Sequence, residues 1–218
     1  MRPKLVTADA IAAPYDAVLL AVKSYSLDAA IEDFAAAVGP RTAIIPTLNG
    51  MRHVDVLAER FGEGAVAGGV CKVAATIDPE GRIVQLAAFQ ELAYGERDGS
   101  VSSRMKELDA FMQGAGFAAR LSPTIGYEMW EKWTMLATLG AITCSMRGDI
   151  GEVLAAPGGS PGSTQSPSMY RDLREGRPIE SDQIVGDLLA RGGKAGVTTP
   201  LLAAAYAHVC VYQQRLAT

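Results

Sequence analysis

The amino-acid sequence predicts an α/β front half built on a parallel sheet, followed by a smaller all-helical back half. Three observations carry that reading. Residues 16–22 and 42–45 are short continuous apolar runs of the kind buried parallel strands show, and a segment with helical spacing separates them. Residues 127–148 hold a stretch free of charge from Trp133 to Met146, with both tryptophans at its front. Beyond a loop at 157–168 rich in Gly, Ser and Pro, only helical periodicity remains, over 180–195 and 200–216. The two halves join near Gly99, giving domains 1–98 and 99–218, the second shortened near 157–168.

In chain order, Ser26 caps a helix over 27–38, and Gly39-Pro40 stops it. Strand, helix and strand within about 30 residues make a βαβ unit with a right-handed crossover. A helix over 53–61 follows, then a strand over 65–77 with Gly68-Gly69 as a bulge. The segment from Gly62 to Ala67 matches G-x-G-x-x-A, yet it follows a helix and opens a strand, the reverse of what a dinucleotide fingerprint requires. A turn at 78–81 leads to antiparallel strands over 82–88 and 91–95. Residues 104–114 form a helix ended by glycine, and 117–121 lead into the central helix. Ser122 serves there as N-cap, Pro123 as first helical residue, and Arg147-Gly148 as the stop. Its apolar core is 14 residues, against the roughly 20 that span a membrane, so it belongs in a protein interior. Residues 149–156 add two further turns.

The 218 residues are 49% hydrophobic, enough for a real core, and the net charge of −4 offers no field for a nucleic-acid backbone. The N-terminus has no apolar signal region. Cys71, Cys144 and Cys210 are odd in number and widely spaced, reading as reduced cysteines of a cytoplasmic protein. With only His53 and His208, a zinc site or a Ser-His-Asp triad has few parts.

Lys132 is the residue that asks for an explanation, because burial in an apolar helix disfavours its charge. Either it snorkels to water and pairs with Glu128, one turn back, or it is a general acid whose pKa burial has lowered. Lys23 ends the first strand and Asn49-Gly50 lies in the loop after the second. Both are on the rim where open α/β sheets bind ligands, or are a solvated strand end and a plain turn. Ser168 reads as a helix cap and Glu180 as a first-turn carboxylate.

The segments DAVLLAVKSYSLDAAI, TLNGMRHVDVLAERFG, GGVCKVAATID, MWEKW, SPSMYRDLREGRPIESDQIVGDLL and GVTTPLL run through nearly the whole chain in the order found in the ketopantoate reductase family. The chain resembles that family, NADPH-dependent enzymes that reduce 2-dehydropantoate to pantoate. The resemblance implies a partial Rossmann-type parallel sheet followed by a helical domain. It implies Lys132 as the general acid that protonates the ketone oxygen, Asn49 near nicotinamide and substrate, and Lys23 at the cofactor rim. Ser168 and Glu180 match the substrate-side serine and glutamate, with Glu180 also reaching the cofactor.

Three departures qualify the match. The phosphate-binding strand–loop–helix and the basic reader of the 2′-phosphate are missing, since Met1 begins where the family has already completed its first units. NADP(H) binding is therefore expected to be weak or absent in the chain as given. Leu136 and Gly140 stand where many members place asparagines, which implies a changed 2-oxo acid substrate. The 157–168 loop replaces what is usually at least two helices. The leading expectation is an NADPH-dependent reductase of 2-dehydropantoate or a related 2-oxo acid. The alternative is a truncated, non-catalytic homologue that dimerises or binds small acids. An open sheet edge and bare helical faces point to a homodimer, with no nucleic-acid or membrane partner.

Overall fold

The computed structural model describes residues 4–155 and 166–216. Positions 157–165 of the expected Gly/Ser/Pro loop lie outside the described residues. The chain divides into two compact units. The first takes the residues through Leu48 and then His53–Met129; the second takes Asn49–Arg52 and Trp130 onward.

In the first unit, Ala17–Leu20 (β1) and Ala43–Pro46 (β2) pair in parallel, with Leu27–Phe34 (α1) between them. Every residue of β2 is buried, as its continuous apolar run implies. Arg52–Phe61 (α2) leads to Gly68–Ile77 (β3), and a single parallel bridge joins Ile44 of β2 to Val66. Gly68-Gly69 is not a bulge: the ladder runs through both, and its irregularity falls between Val73 and Ala75. The glycines are there for close approach. A Cβ on Gly69 would overlap the Pro46 carbonyl, and one on Gly68 would lie 2.7 Å from the Ile125 side chain.

Where two strands were expected over 82–95 there is one, Ile83–Gly95 (β4), antiparallel to β3. Its outer half is exposed, so no alternating pattern marks it; ladder hydrogen bonds rather than burial keep it extended. Ser103–Met112 (α3) is capped by Ser102, whose side chain accepts from the Met105 amide. Ala118–Leu121 (β5), which on sequence is only a lead-in, pairs in parallel with β4 from Glu91 to Tyr94. Four residues are too few to show a period. Met105 is buried with Ala43, Ile45, Ala67, Leu92 and Tyr94, so residues 103–121 pack with the sheet although the expected junction near Gly99 assigns them to the back half.

Two carboxylates tie these elements together. Glu96 holds Arg104 through both oxygens, at 2.8 and 2.7 Å, and Ser102 donates to it at 2.6 Å. Glu128 accepts from Arg120 at 3.0 and 2.6 Å and from Ser122. Ser122 also accepts from the Thr124 amide in a turn ahead of the central helix, which begins at Ile125 and not at Pro123, so Ser122 is not its N-cap.

That helix, Ile125–Met146 (α4), starts in the first unit and continues into the second. It is not enclosed as its lack of charge predicts. Met135, Ile142 and Met146 are exposed, while Met129, Trp133, Ala137, Gly140 and Cys144 form the buried stripe. The Thr134 and Thr138 hydroxyls donate to the carbonyls of Trp130 and Thr134, leaving methyl groups on the outer face. At its end the left-handed residue is Arg147, with φ 57°, one position before the glycine expected to take that role. Gly148 is instead kept small by Glu152, whose Cβ would be 3.2 Å from an added side chain. The second unit continues with Ile150–Ala155 (α5), Ser168–Arg174 (α6), a π-helical turn at Asp182–Gly186, Asp187–Lys194 (α7) and Pro200–Leu216 (α8).

Glu96 and Glu128 are both held below the ordinary glutamate value of 4.5, chiefly by hydrogen bonds from Arg104 and Arg120 respectively. A carboxyl depressed by folding contributes stability that is whole above its unfolded pKa and is lost as pH falls through the folded value. Stability measured by urea titration is therefore expected to drop between about pH 5 and 2. Glu96→Gln should flatten that dependence and cost about 1.5–3 kcal/mol at pH 7.

Candidate functional site

The buried stripe of α4 places Lys132 and Leu136 one residue ahead of Trp133 and Ala137, half-buried on the shoulder of the helix. The shoulder is held by Trp133. Its indole is 1% exposed, and Nε1–H donates to the Ile184 carbonyl at 2.9 Å, joining α4 to the π-helical turn. The Arg191 guanidinium lies 5.7 and 5.9 Å from the Trp133 and Trp130 ring centres and is itself held by Asp187 at 3.0 Å.

The π-turn carries the next group. Glu180, Ser181 and Gln183 are all buried, a run of polar side chains that an interior tolerates only when it is satisfied. Neither Lys132 nor Glu180 is without a partner. The residue before Glu180 is held by α8: the Gln213 side chain accepts from the Ile179 amide at 3.1 Å and donates to the Ile179 carbonyl at 3.0 Å. Gln183 Nε2 donates to the Asn49 carbonyl at 2.9 Å, and Met51 packs on the core of the second unit. The loop after β2 thus belongs, with Asn49, to the same unit as Lys132 and Glu180.

Ser168 is the first residue of α6 rather than its cap; Pro167 holds that position. The adjacent Met169 fills the space beside Gly140, where a Cβ would overlap its terminal methyl, so Gly140 is a buried packing position rather than an opening on the helix face. Lys23 lies in the first unit, half-buried ahead of a short 3₁₀ turn at Ser24–Ser26. Glu128, the partner considered for Lys132, is held by Arg120 and Ser122.

Of the predicted residues, the second unit holds Asn49, Lys132, Leu136, Gly140, Ser168 and Glu180, and only Lys23 is elsewhere. Sequence reasoning missed Gln183 and Gln213. Their signal was faint: a glutamine at a position that periodicity turns inward. Among the described residues no group of His, Cys, Asp or Glu could hold a metal ion, and no helix is long and apolar enough to cross a membrane.

Comparison with known proteins gives two matches to family models. Residues 1–99 match "Ketopantoate reductase PanE/ApbA", and residues 160–213 match its C-terminal counterpart. The uncharacterized oxidoreductase YkpB of Bacillus subtilis is 26% identical over 247 residues, covering 97% of this chain and 81% of its own. A 2-dehydropantoate 2-reductase of Mesorhizobium japonicum is 26% identical over 247 residues, covering 89% of this chain and 76% of its own. Among solved structures, the ternary structure of D-mandelate dehydrogenase with NADH and anilino(oxo)acetate aligns with a TM-score of 0.82 at 17% identity, over 95% of this chain and 78% of that one.

Trp133→Phe keeps most of the ring volume but leaves the Ile184 carbonyl without its donor. It should lower stability by about 1–3 kcal/mol, the cost of a buried unsatisfied group, read as a shift of the denaturant midpoint.

Proposed function

Because the chain belongs to the ketopantoate reductase family, we propose that it is a nicotinamide-dependent oxidoreductase that reduces the ketone of 2-dehydropantoate or a related 2-oxo acid. The observation that carries this reading is Lys132, half-buried on a helix whose position is fixed one residue away by the Trp133–Ile184 hydrogen bond. A general acid has to be held at hydrogen-bond reach of the atom it protonates.

In the proposed reaction Lys132 Nζ donates a proton to the carbonyl oxygen as the carbonyl carbon accepts hydride, so that the ketone becomes a secondary alcohol. The neutral amine then recovers a proton from solvent. NADP(H) is the cofactor assigned; when bound, it supplies the hydride. On the family resemblance we assign Asn49, in the loop after β2, to its nicotinamide end and Lys23, after β1, to the cofactor rim. Both follow the carboxyl ends of parallel strands and present donors. Glu180 orients substrate and cofactor, and Ser168 offers its hydroxyl to the substrate. Leu136 gives the substrate tail an aliphatic surface in place of an amide, while Met169 has taken the space beside Gly140.

The exposed, charge-free face at Met135, Ile142 and Met146 favours one further assignment, a homodimer. It also keeps a second reading in play, a homologue that dimerises and binds small acids without turnover. Steady-state kinetics with NADPH and a panel of 2-oxo acids separates the two. We expect Lys132→Ala to lower turnover by at least about 10²-fold; near-normal turnover would remove Lys132 from the mechanism, and no turnover in the unaltered protein would favour the second reading. A site without amide partners discriminates poorly for a substrate hydroxyl. We therefore expect 2-oxo acids with plain aliphatic tails to compete well with ketopantoate, and Leu136→Asn to shift the ratio of kcat/KM values towards the hydroxylated acid.

A further inference from the structure

The loop Asn49–Arg52 is continuous in sequence with β2 and α2, yet its contacts place it in the helical unit. One side chain accounts for this at the level of hydrogen bonding. Gln183 is 5% exposed and donates from Nε2 to the Asn49 carbonyl at 2.9 Å. Its own backbone closes on the next residue of the loop. A Cβ on Gly50 would lie 2.5 Å from the Gln183 carbonyl oxygen and 3.3 Å from both Cγ and Nε2. Gly50 has φ 84°, so only glycine fits, for backbone conformation and for space alike. Met51 then buries itself against the helical core. Gln183 stands within the π-helical turn Asp182–Gly186, a local widening of the helix that often marks functional sites. Three positions earlier is Glu180.

We infer that Gln183 is a positioning residue: it fixes the backbone at Asn49 and Gly50, so that the direction of the Asn49 side chain is set by the same segment that carries Glu180. This rests on the reading of Asn49 as a cofactor and substrate contact. A carbonyl held by a buried donor, followed by a glycine pressed against that donor's own main chain, leaves the loop one arrangement in place of several. The hydrogen bond acts on Asn49 and does not touch the reacting atoms.

Hydrogen exchange of the loop amides tests the positioning without relying on turnover. Gln183→Met keeps the length of the side chain and removes its amide, with it the donor to Asn49; Gln183→Ala removes the length as well. We expect exchange at Asn49–Arg52 to speed up by roughly tenfold in Gln183→Met, the factor that one net hydrogen bond corresponds to, with α8 amides unchanged. Loop exchange equal to the unaltered protein in Gln183→Met overturns the proposal. So does acceleration spread equally over α8, because it would mean general destabilisation. A parallel NADPH titration by nicotinamide fluorescence should show the dissociation constant raised about tenfold in the same variant. The titration bears on the functional reading of Asn49, with weak binding expected in the unaltered protein, while the exchange result needs no cofactor and decides by itself whether Gln183 holds the loop.

Discussion

The second unit depends on the Trp133 indole. Burying so large a ring is favourable only if its N–H finds an acceptor, and the Ile184 carbonyl in the π-helical turn supplies it at 2.9 Å. That bond sets where α4 lies against the turn. From the turn, Gln183 reaches Asn49, and from the shoulder of α4 Lys132 projects one residue before the indole. Removing the acceptor or the donor would free two elements at once. The aromatic pair at the front of the charge-free stretch is thus the joint on which the placement of Lys132 rests, and Arg191, over both rings, closes it from the α7 side.

The front of α4 is fixed by charge as well as by packing. Arg120 on β5 and Ser122 just after it both bond Glu128, so the first turns of the helix are tied to the strand that precedes them. The arrangement uses a carboxylate in the first turn, where the helix dipole also favours it. Glu128 is thereby committed to the first unit's sheet. Lys132, a turn later, is the charge that belongs with the second unit.

Much of this was legible in the sequence because its physical cause is local. The apolar runs that became β1 and β2, the helix between them, and α8 follow from periodicity and from stop signals such as Gly39-Pro40. Lys132 stood out because a cation amid an apolar helix has no local reason to be there. Asn49 could be singled out because it lies in the loop after a parallel strand, whereas Glu180 was singled out only through the family resemblance. What could not be read is what depends on a distant neighbour. Gly68 and Gly69 look like a bulge on sequence, and only the approach of Pro46 and Ile125 explains them. The 83–95 stretch reads as two strands because its outer half has no buried face to give it a pattern. Gly140 stands on sequence where many family members place an asparagine, and only the structure shows Met169 beside it.

By itself the sequence determined the element types, the order of the α/β and helical parts, and the residue types available for chemistry, since each follows from propensities and spacings acting over a few residues. The tertiary structure decided where the units divide, with the loop at Asn49 joined to the helical unit and residues 103–121 joined to the sheet. It decided that Gln183 and Gln213, unremarkable as letters, bond the backbone at Asn49 and Ile179. The physical reason is the range of the interactions. A hydrogen bond between residues 134 positions apart leaves no mark on the composition near either of them, and it exists only once packing has brought donor and acceptor together.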